Sequence, residues 1–514
     1  MFTSHLFLCE DSMSTPESRL HNSRIIDGIA CFFSLAFFAA AAIGTVYTGL
    51  SPQEVLTAWV RIMTSPGPLV TDYFRLGSLP AAFLNAGACG ISMCFFMIHL
   101  KGNSHANTLA GFFLVIAHCF YGLNFLNMWP CFFAPMLYMW MRNLNVKQNL
   151  HICMFGTCFS PFISEFLFRY TLKYSFVPGK VQITGAGLML ALLFTLIIAF
   201  VIPAILPGAQ AWHKGYNLYN GGLAFGLFGF LMYDFMYKTL DVPKPLVLNY
   251  TNELYEAAHR SYRGFATVFF LVIFLICLIA GWILNERTFY GYADLVRTTG
   301  YQCNFARTFG MDLVLINIGF YGLFFFLYVF LIITFTPGAG FTGPTIGVVI
   351  ASLTFTALGQ HPRNIWPILC GYLLLYTVAT VISNLTGNGL AWSVSTQGYI
   401  NGAAFATGLC PICGRYGKRA GLAAGFLCAA MCTATGALHG GLVLYNGGFT
   451  DGITAMLLLP ILEHYLPAPR EDTEPTSVAM REQMTLTGPG RIRLKRPIRL
   501  RRKGDADDGD TKKP

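Results

Sequence analysis

Long apolar stretches alternate along this chain with short polar connections. Five of the stretches contain no Asp, Glu, Lys or Arg, and they cover residues 28–53, 181–212, 265–285, 313–360 and 364–414. A membrane-spanning helix needs about 20 apolar residues to cross about 30 Å of hydrocarbon. The longer stretches therefore accommodate two crossings with a turn between them. This pattern predicts an all-α polytopic membrane protein.

The hydrophobic runs predict about 12 transmembrane helices plus two broken or re-entrant segments. In the first half, the predicted spans are 25–47, 78–98, 107–125, 127–141, 182–206 and 215–237, with a broken segment at 151–168. In the second half they are 264–285, 311–335, 344–359, 365–385, 417–436 and 440–464, with a broken segment at 396–412. Because irregular backbone at membrane depth must be buried in protein or line a cavity, broken segments at matching places indicate a transport site.

The relative direction of the two halves depends on the broken segments. If both re-enter, 12 spans place the basic loops 169–180, 238–263 and 415–419 on the cytoplasmic side, and the halves face the same way. If both cross, 14 spans result and the halves are inverted. The positive-inside rule favours re-entrance, which is the arrangement we expect; inversion is the alternative.

Two segments of the chain carry nearly the same motif. HKGYNLYNGGLAFG at 213–226 and HGGLVLYNGGFTDG at 439–452 are identical at eight of 14 positions. Residues 107–140 also align without a gap on 344–377, which superposes two Asn-x-Trp-Pro units. Because these matches keep their order, the chain contains two internal repeats of a unit of roughly 200 residues. A further short helix is predicted at 52–65, lying in the membrane interface.

Composition changes this picture only at the chain ends. Charged residues make up 11% of the sequence, against about 25% in soluble domains. The formal charge of +10 arises from loops and from the last fifty residues, where eight of the positions between 491 and 503 are Lys or Arg. Such a tail is predicted to be disordered and cytoplasmic. It either anchors the topology or lies on anionic lipid headgroups. Nucleic acid binding is not indicated.

The predicted organisation has four parts. Residues 1–24 form a cytoplasmic N-terminal segment, and 25–263 form membrane repeat 1. Residues 264–466 form membrane repeat 2, and 467–514 form the disordered basic cytoplasmic tail.

Polar residues of the duplicated motif are the candidates for a binding site. Amide, hydroxyl and imidazole groups suit a small neutral polar solute, and adjacent glycines let it approach closely. The predicted substrate-binding residues are His213, Asn217, Tyr219, Asn220, Gly221, His439, Tyr445, Asn446, Gly447 and Asp451. The structural alternative is that the Asn and His side chains cap a broken helix while the glycines permit tight packing.

Charged residues inside the apolar segments are few. Asp451 lies five residues after Asn446, where an ionisable group is costly and indicates function. Its counterpart in the first copy is Phe225, so its role would be asymmetric. His213 and His439 could carry protons near neutral pH, and a neighbouring Asp451 would then raise the pKa of the second site alone.

The duplicated motifs resemble a bacterial family of integral membrane proteins of unknown function, which is defined by the duplicated domain of unknown function 1576. The resemblance covers roughly residues 50–465 and brings no known substrate. The YNG sequences at 219–221 and 445–447 also resemble the stretch that opens a pore-lining helix in urea transporters. That likeness implies inverted repeats and urea as the solute, although this chain lacks the Asn-Pro segments of those transporters.

No enzyme signature is present: there is no H-E-x-x-H, no G-x-S-x-G and no phosphate-binding glycine loop. The one C-x-x-C, at 410–413, is a weak metal or redox signal, and packing in a short helix is the favoured interpretation. No cofactor or metal is expected. We therefore predict a multi-pass transporter or channel of the cell membrane for a small polar solute, with the path between the two repeats. The alternative is a membrane scaffold or a membrane-embedded enzyme without transport activity. The expected partners are the lipid bilayer and the solute, and homo-oligomers remain open.

Overall fold

The computed structural model describes residues 16–99, 104–248 and 262–472, and every regular element in these ranges is helical. The helices of the first copy are α1 (Pro16–Thr48), α2 (Pro52–Met63), α3 (Tyr73–Leu76), α4 (Leu79–His99), α5 (Ala106–His118), α6 (Met128–Met141), α7 (Val146–Gly156), α8 (Ser160–Glu165), α9 (Gly185–Trp212) and α10 (Asn220–Tyr233). Those of the second copy are α11 (Tyr262–Leu284), α12 (Tyr292–Leu295), α13 (Phe305–Thr308), α14 (Met311–Phe335), α15 (Gly343–Ala351), α16 (Pro362–Thr386), α17 (Gln397–Ala406), α18 (Cys410–Tyr416), α19 (Lys418–Leu438) and α20 (Asn446–Tyr465). A 3₁₀ turn joins α7 to α8, and α8 and α10 each continue into a π-helical turn.

Eight of the described helical runs are long and apolar enough to cross a membrane. They are α1, α4, the continuous run Val146–Tyr170, α9, α11, α14, α16 and α19. These runs confirm the predicted all-α membrane class.

The two copies use the same side-chain device to hold their interiors. Asn85 in α4 donates to the carbonyls of Cys119 and Leu123, at 2.8 and 3.0 Å. Asn317 in α14 donates to the carbonyls of Thr356 and Gln360, at 2.9 and 2.8 Å. Each amide thus provides hydrogen-bond donors to backbone carbonyls in the loop that follows a short helix, α5 or α15. Without the amide, these carbonyls would be unpaired in an apolar interior.

Helices α5 and α6 form a hairpin that enters and leaves the bundle on one face. Before α5, His105 Nε2 donates to the Gln148 carbonyl at the start of α7 (3.1 Å). Helix α6 ends at Met141, five residues before α7 begins. The start of α5, the end of α6 and the start of α7 therefore lie together, and the loop 119–127 is the inner tip of the hairpin. In the second copy, Thr342 likewise donates to Gln397 (2.6 Å), which places the start of α15 beside the start of α17.

The run from α7 to the π-helical turn at Phe166–Tyr170 passes through the bundle, and α9 returns along it. Phe194 of α9 stacks on Phe162 at 4.6 Å, and Ile202 lies against Gly156 near the far end of the run. With α1, α4 and the segment 213–239, each copy traverses the bundle five times within the described residues, apart from its hairpin, which returns to the face where it begins. We call the face that holds the start of α1 the terminal face, because the end of α20 also lies there.

An odd number of traverses reverses the second copy relative to the first. Tyr47 at the end of α1 packs on Phe265 at the start of α11 (5.7 Å), so these two helices run in opposite directions. At the terminal face, Asn22 near the start of α1 donates to the Ala306 carbonyl (2.9 Å), beside the start of α14. The copies are therefore related by an approximate two-fold rotation that inverts helix direction.

These contacts correct the predicted topology. The helices α5 and α6 are shorter than the spans predicted there, whereas α16 is long enough to cross. The segment at 151–168, predicted as broken or re-entrant, passes through the bundle within the run Val146–Tyr170. The expectation that the copies face the same way is wrong for the same reason. Gly156 and Pro161 do not break the chain apart, because the 3₁₀ turn Thr157–Phe159 absorbs them within one run. Helices α5 and α6, at 13 and 14 residues, are each too short to cross alone.

Candidate functional site

The duplicated motif forms an irregular segment that returns into the bundle after a long helix. Helix α9 ends at Trp212 and α10 begins at Asn220, while α19 ends at Leu438 and α20 begins at Asn446. Left-handed backbone at Gly440 and Gly441 (φ 59° and 74°) turns the second segment inward, which favours glycine at those positions. The helices at the motif thus begin at Asn220 and Asn446, later than the predicted spans 215–237 and 440–464.

The backbones of the return segments are satisfied by the other copy. Leu218 N–H donates to the carbonyl of Gly408, and Leu444 N–H donates to the carbonyl of Cys158, both at 3.0 Å. The two hydrogen bonds are related by the repeat: in each, the motif of one copy donates to the equivalent carbonyl of the other copy. Non-helical backbone at this depth is therefore paired between the repeats rather than left without partners.

Helices α10 and α20 cross at a pair of equivalent glycines. A methyl group built on Gly222 would lie 2.5 Å from Cα of Gly448, so only glycine permits this approach. Gly226 faces Phe449, and Gly452 faces Leu223, with the copies again exchanged. In these contacts, residue numbers rise along one helix as they fall along the other, so α10 and α20 are antiparallel. The contacts lie in the N-terminal turns of both helices.

Equivalent histidines make different contacts in the two copies. His439 Nε2 lies 2.9 Å from Asn446 Oδ1, and we assign it as the donor. In the first copy His213 also lies beside Asn220, but the Nε2 and Oδ1 atoms do not reach hydrogen-bond geometry, and His213 Nδ1 accepts from the Asn217 N–H (3.3 Å). The His–Asn contact is therefore tighter in the second copy than in the first.

The motif tyrosines are buried between the copies, and they too differ. The Tyr219 hydroxyl donates to the Ala351 carbonyl (3.0 Å), and its ring packs on Phe355 (4.6 Å). The Tyr445 hydroxyl lies beside Thr157 without reaching hydrogen-bond geometry. Asn217 Nδ2 donates to the Gly448 carbonyl (3.1 Å) and thereby joins the copies.

Asp451 is fully buried in α20, away from the histidines. Its Oδ1 accepts from the Cys428 thiol (3.2 Å), which also accepts from the Tyr372 hydroxyl (3.2 Å). Its Oδ2 has no hydrogen-bond partner in the described parts of the chain. The expected pairing of Asp451 with His439 is wrong, because His439 bonds Asn446 instead.

The structure brings most of the predicted residues to one junction but changes the role of the glycines. Gly222 and Gly448 form the crossing, whereas Gly447 packs on Phe405 and Gly221 is half-buried beside Phe225. An additional residue at the junction is His118 at the end of α5, whose Nε2 donates to the Leu444 carbonyl (3.1 Å). The equivalent position in the second copy is Phe355. A comparison of the two copies for identical residues therefore could not identify His118.

A buried ion pair lies towards the opposite face of the first copy. Arg169 Nε donates to Glu165 Oε1 (2.6 Å), and the Tyr237 hydroxyl donates to the same oxygen (2.7 Å). Arg169 also donates to the Pro243 carbonyl (2.8 Å). Glu165 stands out in the sequence as a charge in an apolar run, but its partners come from distant segments. By contrast, Asp234 forms an exposed pair with Lys238 (2.7 Å).

A second charged contact joins the copies at the terminal face. Lys214 Nζ donates to both carboxylate oxygens of Glu463, at 2.7 and 2.8 Å, and Tyr301 donates to the Lys214 carbonyl (2.9 Å). Hydrogen bonding to Glu463 raises the pKa of the Lys214 ammonium above its usual value. Glu463 occupies the position equivalent to Tyr237, which donates to Glu165 in the buried ion pair. The two equivalent positions therefore contribute to polar contacts at opposite faces.

A cavity of about 380 Å³ lies apart from this junction, at the opposite face. It is bounded by Thr48 at the end of α1, by Glu54 and Arg61 of α2 and by Tyr262 of α11. The Ser51 N–H and hydroxyl donate to Glu54 (2.7 Å each) and hold the pKa of that carboxyl below its usual value. The predicted interfacial helix is therefore present, with a capped N-terminus.

The first residues of the predicted tail contact the helical unit. Asp472 accepts from the N–H and hydroxyl of Thr299, at 2.7 Å each, and the Arg470 N–H donates to the Arg415 carbonyl (2.9 Å). The predicted boundary at 467 therefore falls before residues that are part of this unit. The basic run at 491–503 lies outside the described residues, and so does most of the N-terminal segment.

A chain that ends after Asp472 should keep the melting temperature of the full chain. Ending it after Pro469 should lower the melting temperature, because the hydrogen bonds of Arg470 and Asp472 are lost together. Thermal unfolding in a mild detergent measures both truncations beside the full chain. Equal melting for the two would show that these contacts do not stabilise the terminal face.

The fold and its central junction define a multi-pass membrane protein built from two inverted copies. The family model described as "Protein of unknown function (DUF1576)" matches residues 51–238 and 284–464, one match in each copy. Since the matches cover more than half of the chain, the protein belongs to this family. No curated protein and no solved structure matches the chain. The likeness to urea transporters therefore remains an expectation from the sequence.

Proposed function

We propose that the protein transports a small, neutral, polar solute along a path between the two copies. The observation that carries this proposal is the junction of α10 and α20, where two helix N-termini and two irregular segments meet. Discontinuous helices of inverted repeats that meet at mid-depth form the binding sites of many secondary transporters. The two copies can then exchange conformations around a site that stays in place.

The unequal His–Asn contacts support a cycle of this kind. In an inverted repeat, an inward-open and an outward-open state arise when the copies adopt two conformations and then exchange them. His439 bonds Asn446 at 2.9 Å, whereas His213 lies beside Asn220 without reaching that geometry. The looser contact in the first copy is consistent with one end of the cycle.

The groups around the junction favour a neutral solute. Asn217, Asn220 and Asn446 supply amide donors and acceptors, and Tyr445 supplies a hydroxyl. The motif contains one lysine or arginine side chain, Lys214, and Glu463 holds it at the terminal face, away from the junction. A charged substrate would require an opposite charge at the site, and the one carboxylate nearby is Asp451.

We also propose that the terminal face lies in the cytoplasm of a cell-membrane protein. This face carries Arg142 just after α6 and Lys147 in the first turn of α7. It also carries Arg415 at the end of α18, with Lys418 and Arg419 at the start of α19. The sequence then continues from this face into its basic last residues. An excess of Lys and Arg in short loops marks the cytoplasmic side.

Labelling of single cysteines tests the orientation in a cysteine-depleted background. Lys147→Cys at the terminal face should react with a membrane-impermeant maleimide only after permeabilisation of intact cells. Ser175→Cys, in the exposed turn at the opposite face, should react before permeabilisation. The reverse result would contradict the proposed cytoplasmic side of the terminal face. Labelling of both from one side would contradict the crossing of the run Val146–Tyr170, and with it the inverted arrangement.

Solute flux tests the proposed path directly. Purified protein in liposomes should speed the entry of urea, formamide or glycerol, measured by stopped-flow light scattering. Asn446→Leu should reduce that flux to the level of protein-free liposomes, because the change removes the amide and closes the junction with an apolar side chain. Asn388→Leu, in an exposed loop at the opposite face, is the matched control and should leave flux unchanged.

Flux of all three probes at the protein-free level, from protein that melts cooperatively, would contradict transport of this solute class. A scaffold role would then explain the packing at Gly222 and Gly448 better.

A further inference from the structure

We infer that Asp451 is a proton-binding site and that its protonation is coupled to movement of the solute. The inference rests on the proposed function, since it names the coupling ion of the same junction. It assigns proton carriage to a carboxyl group rather than to the motif histidines. The geometry that carries it is a fully buried carboxyl with one oxygen unpartnered among the described residues.

Among the described residues, no basic side chain hydrogen-bonds or pairs with Asp451. Helix α19 presents Cys428 and Cys432, α16 presents Tyr372, and the return segment of the first copy presents Tyr219. Helix α10 contributes Leu223, against the neighbouring Gly452. His439, just before α20, is bonded to Asn446.

The charged residues of the packed helices lie at their ends, far from the carboxyl. They are Arg363 in α16, Lys418 and Arg419 in α19, Glu463 in α20 and Asp234 just after α10. No ion pair to Asp451 is present in the described residues.

An ionised carboxylate in this position would have one weak thiol donor and no counter-ion. Burial of such a charge is strongly unfavourable, and buried groups of this type become neutral instead. A hard metal cation does not fit, because it needs several oxygen ligands and the neighbours here offer two thiols and phenol groups. In the described residues, no group of three His, Cys, Asp or Glu side chains could hold a metal ion. A proton on the carboxyl satisfies the site without further ligands.

Coupling follows from the place of Asp451 in the junction. It lies between Asn446, at the start of α20, and the body of that helix, and the next residue, Gly452, packs on Leu223 of the other copy. Loss of the proton would leave a carboxylate that stabilises states in which water reaches this contact. The proton would be taken up from one face and released to the other, as the neutral acid becomes carboxylate plus a free proton. Because its counterpart is Phe225, each chain would carry one proton at this site.

Infrared spectroscopy of the full chain in lipid nanodiscs tests the protonated state. At neutral pH, the difference between the wild-type spectrum and that of Asp451→Asn should contain the C=O stretching band of a neutral carboxylic acid. The variant should fold, since asparagine has the shape of the neutral acid. Asp234→Asn, which changes an exposed carboxylate, is the control and should give no such band. A difference spectrum with carboxylate bands only would overturn the inference.

Proton movement in liposomes tests the coupling and separates it from transport itself. A gradient of urea, formamide or glycerol should change the internal pH, reported by an entrapped dye, in the wild type and in Asp234→Asn. Asp451→Asn should show no such change. Solute flux by the wild type without proton movement would overturn the coupling and leave the proposed function standing. A neutral-acid band without flux of any probe would overturn the coupling together with transport of these solutes, and would leave only the protonated carboxyl.

Discussion

Replacing Arg169 by methionine should lower the free energy of unfolding by about 3–5 kcal/mol, the usual cost of removing one partner from a buried ion pair. The change leaves the Glu165 carboxylate at 0% exposure with only the Tyr237 hydroxyl as a donor. It also removes the hydrogen bond that ties Arg169 to the Pro243 carbonyl. Equilibrium unfolding in mixed detergent micelles measures the loss.

The Asp234–Lys238 pair offers a matched control. It has the same spacing of four residues and lies in a similar π-helical turn, but its side chains are 42% and 61% exposed. Lys238→Met should therefore cost no more than about 1 kcal/mol, because water solvates the remaining carboxylate. The double variant Glu165→Gln with Arg169→Met should recover much of the Arg169→Met loss. Equal effects of the two single variants would show that the Glu165–Arg169 pair is hydrated.

The second large effect is expected at the glycine crossing. Gly222→Ala should lower the free energy of unfolding by about 1–3 kcal/mol, the range for overpacking, because the new methyl group meets backbone atoms of Gly448 and Phe449 that cannot rotate away. Proteoliposome flux should fall with it, since the copies are forced apart. Both quantities can be measured on one preparation.

Gly221→Ala is the control at the adjacent position of the same motif. Its methyl group would meet only side-chain atoms, with Phe225 at 3.0 Å and Leu206 at 3.4 Å, and these can shift. Little change in stability is expected, and part of the backbone entropy cost of glycine is removed. If Gly221→Ala and Gly222→Ala behave alike, α10 and α20 do not cross at Gly222.

The membrane class and the duplication could be predicted because each depends on local sequence. Uninterrupted apolar runs define the spans, and the YNG sequences mark the places where α10 and α20 begin. Asn127 and Asn364 illustrate the limit. Asn-x-Trp-Pro is expected to cap a helix, and Asn364 does accept from the His361 N–H (3.1 Å) in a capping box at the start of α16. Asn127 is the N-cap residue of α6 but makes no capping hydrogen bond. Each Asn also donates to a glycine carbonyl in the hairpin tip, Gly122 or Gly359, at 2.9 and 2.8 Å, and the sequence contains no sign of that second contact.

The direction of the copies could not be predicted for a related reason. The segment at 151–168 has the same apolar composition whether it crosses or re-enters, and only its contacts with distant helices show that it crosses. Loop charge could not decide the question from the sequence either, because Lys173 and Lys180 fall on the cytoplasmic side if that segment re-enters and on the other side if it crosses. Pairings such as Arg169 with Tyr237 depend on folding over many residues, so sequence reasoning could identify Glu165 but not what neutralises it.

The two-fold crossing at Gly222 and Gly448 implies how a protein with only one copy of this unit would have to assemble. Such a chain would pair with a second molecule inserted upside down, because a two-fold contact brings each residue opposite its own twin. Its loops could then hold no strong charge bias, since the same sequence would have to enter the membrane in both orientations. Joining the copies in one chain removes that constraint and lets paired positions diverge. Asp451 opposite Phe225, His118 opposite Phe355 and Glu463 opposite Tyr237 are differences that identical subunits could never maintain.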